Sequence, residues 1–146
     1  MYRMVDTQQQ FDEQIDKCRI IAINAHAGQT RRDKKTPYIE HCYAVAKRVS
    51  HLGNKYICVA LLHDVLEDTK VTAHDLLAAG VDEDIVAAVQ ILTKHPSRSY
   101  EEYLKGVKSH DLARNVKIAD MLSNLADSPT NKQIRKYATG LFFLTE

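Results

Sequence analysis

Apolar residues along this chain recur at three- and four-residue steps, and no stretch alternates as a half-buried strand does. The pattern predicts an all-α protein, helix and turn throughout. Phe11, Ile15, Cys18, Ala22 and Ala25 form one helical stripe that Gly28 closes, and Thr7 with Gln10 could cap its start. Thr36 and Pro37 suit the opening of a second helix, on which Ile39, Cys42, Ala46 and Val49 share a face, with Gly53 ending it. A third, over residues 56–67, is apolar around most of its circumference, as a helix at the centre of a bundle is. Further helices are expected over 72–79, stopped by Gly80, and over 82–92, where Asp82, Glu83 and Asp84 suit an N-terminus. Ser99 and Glu102 form a capping-box pattern before a short helix. A second nearly all-apolar helix covers 112–125, and a last one 134–144.

Two polar intrusions break these apolar faces. His63 and Asp64 continue faces occupied by Ile57, Val59, Ala60 and Leu61, and Glu67 and Asp68 follow one turn later on the same side. Three carboxylates and an imidazole then converge within two turns. Like charges at that density raise each other's pKa unless a cation neutralises them, and a divalent metal suits such a donor set. Acids at a helix C-terminus also oppose its dipole, so mere surface decoration is the poorer explanation. The second intrusion is Asp120, which follows Val116 and Ala119 on one face, with Lys117 three residues before it and Asn124 four after. Taken alone, Asp120 reads as a partner of Lys117 in a salt bridge or as a hydrogen-bonded core carboxylate, and His41, bordering Ala44 and Val45, as a satisfied core histidine. His26, His51, His74, His95 and His110 lack acidic companions at ligand spacing and read as surface residues.

Composition narrows the function classes. With 146 residues, one domain over 1–146 is expected, and a net charge of +1 gives no global field for nucleic acid or an acidic membrane surface. Any anion site must be local, and Arg31, Arg32, Lys34 and Lys35 make a basic loop before His41 that reads equally as a phosphate clamp or a solvated segment. The three cysteines, Cys18, Cys42 and Cys58, have no CxxC spacing and fall at core positions, so they read as reduced packing residues. The longest apolar run, 56–62, is too short to span a bilayer, and a cytoplasmic location is expected. Phosphate-cradling glycine loops, a dinucleotide-binding GxGxxG, a GxSxG elbow and zinc-finger spacings are all missing. An apolar stretch at Leu141, Phe142 and Phe143 could pair two subunits into a homo-oligomer.

Three segments together, TPYIEH at 36–41, ALLHDVLEDT at 60–69 and VKIADMLSNL at 116–125, resemble the HD-superfamily hydrolases of RelA/SpoT type in order and spacing. The resemblance spans about residues 10–127. It implies an HD-type bundle of about seven to eight helices and a small stand-alone enzyme that removes the 3′-pyrophosphate of guanosine tetraphosphate and pentaphosphate, usually with Mn2+. By motif it makes His41, His63, Asp64 and Asp120 the metal ligands and Glu67 and Asp68 the catalytic acids. Asn124 matches a nucleotide-contacting asparagine, Arg31, Arg32 and Lys34 approximate a phosphate-binding loop, and Lys117 joins the substrate-facing set. Met121, Ser123 and Ala126 depart from the family's usual basic residue, histidine or tyrosine, and arginine; Cys42 replaces a frequent proline. The same metal core could therefore serve a deoxynucleotide or the 2′-phosphate of NADPH, or a non-catalytic nucleotide sensor.

Overall fold

The computed structural model describes residues 5–146 and, among them, nine α-helices and one short 3-10 helix. In chain order these are α1 (Val5–Ala25), α2 (Ile39–Val49) running into the 3-10 turn Ser50–Leu52, α3 (Asn54–Leu62), α4 (Val65–Asp68), α5 (Ala73–Ala78), α6 (Glu83–Leu92), α7 (Tyr100–Lys108), α8 (Asp111–Leu125) and α9 (Asn131–Thr145). No strand occurs among the described residues; a single antiparallel bridge between Thr30 and Pro37 pinches the long α1–α2 connection.

Helix α3 lies at the centre. Its Cys58, Val59, Ala60, Leu61 and Leu62 are all buried, and it packs against α1, α2, α6 and α8. Helix α8 lies against α2, α3, α6, α7 and α9, burying Ala113, Val116, Ala119 and Met121. Helix α3 takes the centre because it has no polar face wide enough for water, whereas α8 buries an apolar stripe and keeps polar residues such as Asp111 and Arg114 toward its outer side. Cys18, Cys42 and Cys58 are buried free thiols, as core packing requires. No helix among the described residues is long and apolar enough to cross a membrane.

Several boundaries differ from the sequence expectation. Helix α1 is already helical at Val5, upstream of Thr7, and the side chains of Thr7 and Gln10 lie outside those described. Thr36 does not cap α2: its N–H and hydroxyl both go to the Asp33 carboxylate, an Asx-type turn inside the connection. The helix expected over 56–67 is two helices. The Ala60 carbonyl, which a continuing helix would offer to Asp64, instead accepts from the backbone N–H (3.4 Å) and ring Nδ1 (2.6 Å) of His63. Gly80 (φ 91°) stops α5 as expected. Helix α9 starts three residues early, because Thr130 and Gln133 form a reciprocal capping box. Of the terminal apolar stretch, Phe142 is 71% exposed, whereas Leu141 and Phe143 pack partly against the core.

Candidate metal centre

The α3–α4 break turns His63 and Asp64, adjacent in sequence, toward one point. His63 is buried, and because a carbonyl only accepts, its Nδ1 carries the hydrogen given to Ala60. Its Nε2 is thereby the nitrogen free to bind a cation. Helix α2 brings buried His41 to the same point and α8 brings buried Asp120. One ligand atom from each of His41, His63, Asp64 and Asp120 lies within 4.8 Å of the others.

The internal contacts show what this group lacks. His41 Nε2 is 2.8 Å from Asp120 Oδ1, and His63 Nε2 is 2.9 Å from Asp64 Oδ2 and 3.5 Å from Asp120 Oδ1. Neither carboxylate oxygen is placed to make a hydrogen bond with His63 Nε2, which is a buried polar atom without a partner. Two imidazoles and two carboxylates that crowd so closely, with one nitrogen orphaned, fit a divalent cation of the kind mixed N/O donors hold. Nothing else on the site balances both carboxylates: Lys117 Nζ reaches only Asp120 Oδ2, at 3.1 Å.

The electrostatics agree. Burial by itself would lower the His63 pKa, but Asp64 and Asp120 outweigh it and hold the imidazole protonated well above its ordinary range. Burial would raise Asp120, yet Lys117, His41 and His63 hold it well below the usual carboxylate range. Asp68, at the C-terminal end of α4, is pushed up to about 6 by partial burial and by the charges of Asp64 and Glu67.

The remaining sequence candidates distribute around this centre. Asn124 donates to Asp120 Oδ1 (3.1 Å) and accepts from Arg31 Nη2 (3.0 Å), so it joins the ligand carboxylate to the basic loop. Arg31 also pairs with Asp127 (3.0 Å), and Arg32 bonds the Asp127 carbonyl (2.9 Å) and the Gln133 side chain. Both guanidinium groups thus tie the loop to the end of α8 and the start of α9, beside the site. Lys34 is exposed in a left-handed conformation (φ 62°), and no hydrogen bond or ion pair joins it to the centre. Lys117 is largely buried, 16% of its side chain accessible, and serves Asp120. Glu67 is exposed, and its Oε1 accepts from the Lys94 N–H (2.7 Å), toward the α6–α7 connection.

Sequence reasoning misplaced one histidine and overlooked three other residues. His26 is not a surface residue: it is 3% exposed, with its ring 4.8 Å from Tyr38. A signal existed, since His26 stands four residues after Ala22 on the buried stripe of α1. Tyr38, inside a quoted motif but given no role, donates its hydroxyl hydrogen to Asp64 Oδ2. Gln29, three residues beyond His26, bonds both His26 and the Asp68 carbonyl. Arg48 donates from Nε to Ser123 Oγ (2.9 Å) in a cleft of about 300 Å3 beside His41, also lined by Arg31, Ala126 and Asp127. Met121, by contrast, is wholly buried and meets Gly140 of α9 rather than any ligand.

An all-helical bundle with two buried histidines, a buried aspartate and a half-buried one drawn to one point defines the class: residues 18–139 match the HD domain family, and the chain belongs to it. Within that family it is 38% identical over 118 residues to the guanosine-3′,5′-bis(diphosphate) 3′-pyrophosphohydrolase of Haemophilus influenzae, an alignment covering 77% of this chain and 17% of the relative. It is 34% identical over 116 residues to the MESH1 guanosine-3′,5′-bis(diphosphate) 3′-pyrophosphohydrolase of Xenopus tropicalis, with 73% and 64% covered, and 30% identical over 125 residues to that of Drosophila melanogaster, with 79% and 69% covered. The chain thus spans a small part of the bacterial relative and about two thirds of the animal ones. A solved metazoan ortholog of SpoT that hydrolyzes ppGpp superposes with a TM-score of 0.75 at 25% identity, covering 90% of this chain and 84% of the other.

Proposed function

We propose that this protein is a metal-dependent phosphohydrolase that removes the 3′-pyrophosphate of guanosine tetraphosphate and pentaphosphate, acting on small nucleotides as a single domain in the cytoplasm. The observation that carries the metal-dependent reading is the convergence of His41, His63, Asp64 and Asp120 with an orphaned His63 Nε2. Relatives that cover most of this chain and bear that enzymatic name supply the substrate.

On this reading the four residues hold one divalent ion, with manganese proposed. When bound, such an ion polarises a phosphoryl oxygen and acidifies water. The chain's own residues do the rest. Asp68, with a carboxyl pushed up to about 6, is poised to take and return a proton near neutral pH. Glu67, held by the Lys94 N–H, stands one residue away as the second acid. Arg31 and Asn124 face the nucleotide and, with Arg32 and Lys34, neutralise its phosphates. Lys117 keeps Asp120 ionised, so that the ligand carboxylate does not protonate in its buried position.

The test is incubation of purified protein and manganese with guanosine tetraphosphate, NADPH and common nucleotides, products being separated by chromatography. GDP and pyrophosphate from guanosine tetraphosphate, abolished in Asp64→Ala, are the expected result. Turnover of a different nucleotide instead would retain the metal chemistry and replace the substrate. Tight nucleotide binding without any product would replace the enzyme by a sensor.

A further inference from the structure

We propose that the α1–α2 connection supplies a positioning layer behind the metal centre, in which the Tyr38 hydroxyl aims Asp64 and His26, acting through Gln29, holds the backbone of Asp68. The inference rests on the metal reading above and assigns roles to three residues that neither acid nor metal chemistry calls for.

Asp64 needs external aiming. It stands in the break between α3 and α4 at φ −106°, ψ 0°, where no continuous helix fixes its side chain. The Tyr38 hydroxyl gives its hydrogen to Asp64 Oδ2 and leaves the carboxylate's other lone pairs for a cation. Tyr38 itself is held from several sides. Its ring meets His26 at 4.8 Å and His41 edge-on at 5.7 Å, the Arg31 guanidinium lies over it at 5.7 Å, and its N–H bonds the Gln29 carbonyl at 2.9 Å. A hydrogen-bonded partner behind a ligating carboxylate fixes its orientation and is worth ten- to a hundredfold in metal affinity.

Gln29 extends the layer to Asp68. Its Nε2 donates to the Asp68 carbonyl at 3.0 Å, so its Oε1 must be the atom 2.8 Å from His26 Nδ1. An amide oxygen only accepts; Nδ1 therefore carries the hydrogen. Burial holds the His26 pKa below its ordinary value, with Gln29, Asp64, His63 and His41 as the groups that act on it, so the ring is neutral at pH 7. His26 is then a fixed tautomer with a bare Nε2, a buried acceptor without a partner among the described residues. A buried ring in that state bears the cost of an unmet acceptor, and the Gln29 bond is the one side-chain hydrogen bond it makes among the described residues.

Tyr38→Phe keeps the ring and removes only the hydroxyl. Manganese affinity, measured by competition against a chelating dye, should fall about tenfold or more, while the thermal midpoint of the metal-free protein stays near wild type. Equal affinity in the two proteins overturns the Tyr38 role, as does an affinity loss that merely follows a lower metal-free midpoint. The His26 role is read in the wild-type protein by long-range proton–nitrogen NMR of the imidazole: a neutral ring protonated at Nδ1 supports it, and an Nε2-protonated or cationic ring at pH 7 overturns it. Wild-type protein that takes up no manganese would instead remove the metal reading and this layer with it. None of these readouts depends on which nucleotide is the substrate.

Discussion

Lys117 and Asp68 show how much of this site is decided by single ionisable groups. Lys117 is the one ammonium paired with Asp120 among the described residues, at 3.1 Å. Removing it leaves a buried carboxylate facing two imidazoles, and breaking such a pair costs about 3 kcal/mol or more. Lys117→Met should therefore lower the unfolding free energy of the metal-free protein by that amount, read as a lower denaturant midpoint at unchanged slope, a result that a lysine serving only the substrate would not give. Asp68 acts in the opposite sense. Its carboxyl is raised from 3.8 to about 6, so between those values the folded protein binds more protons than the unfolded chain and stability falls as pH rises. Metal-free wild type and Asp68→Asn should unfold at similar temperatures near pH 4, with the variant becoming the more stable by pH 7. Parallel curves across that range would show that Asp68 is not strained in its ionised form.

The helices themselves were legible where periodicity was strong and unreadable where a side chain replaced a backbone partner. Nothing in HDVLED announces a break, since no glycine or proline stands there; the interruption arises from His63 capturing the Ala60 carbonyl, a contact visible only in three dimensions. Likewise the Asp33 turn took Thr36 from the cap position that its sequence neighbours suggest. Asp120 interrupts an apolar face but alone reads as an ordinary core carboxylate, and His41 carries no signal of its own; the motif order, not the physics of either helix alone, joined them to His63 and Asp64. The Thr130–Gln133 box is a readable start signal, and the structure uses Gln133 twice, because its Oε1 accepts from both Thr130 N–H (2.9 Å) and Arg32. Gln133→Ala should cost about 1 kcal/mol, and a double-mutant cycle with Arg32→Ala should show coupling of about 0.5 kcal/mol or more. Additive effects would mean that the Arg32 contact holds nothing in place.

On the scale of the molecule, the ligands of the centre come from α2, α8 and the α3–α4 break, elements that also form the middle of the bundle. Manganese at a hundred times its dissociation constant should raise the unfolding free energy by about 2.7 kcal/mol, and Asp120→Ala should abolish the rise. An unchanged midpoint in wild type would exclude a metal bound by the folded state alone. The arrangement has a further consequence for how the chain moves. Residues 41, 63 and 120 are far apart in sequence, so an ion clasping them closes two long chain loops at once, and the entropy of those loops can return only when the clasp opens. Amide hydrogens of α2 and α8 near the centre should therefore exchange with solvent in step, slowly with the ion present and faster once a chelator removes it.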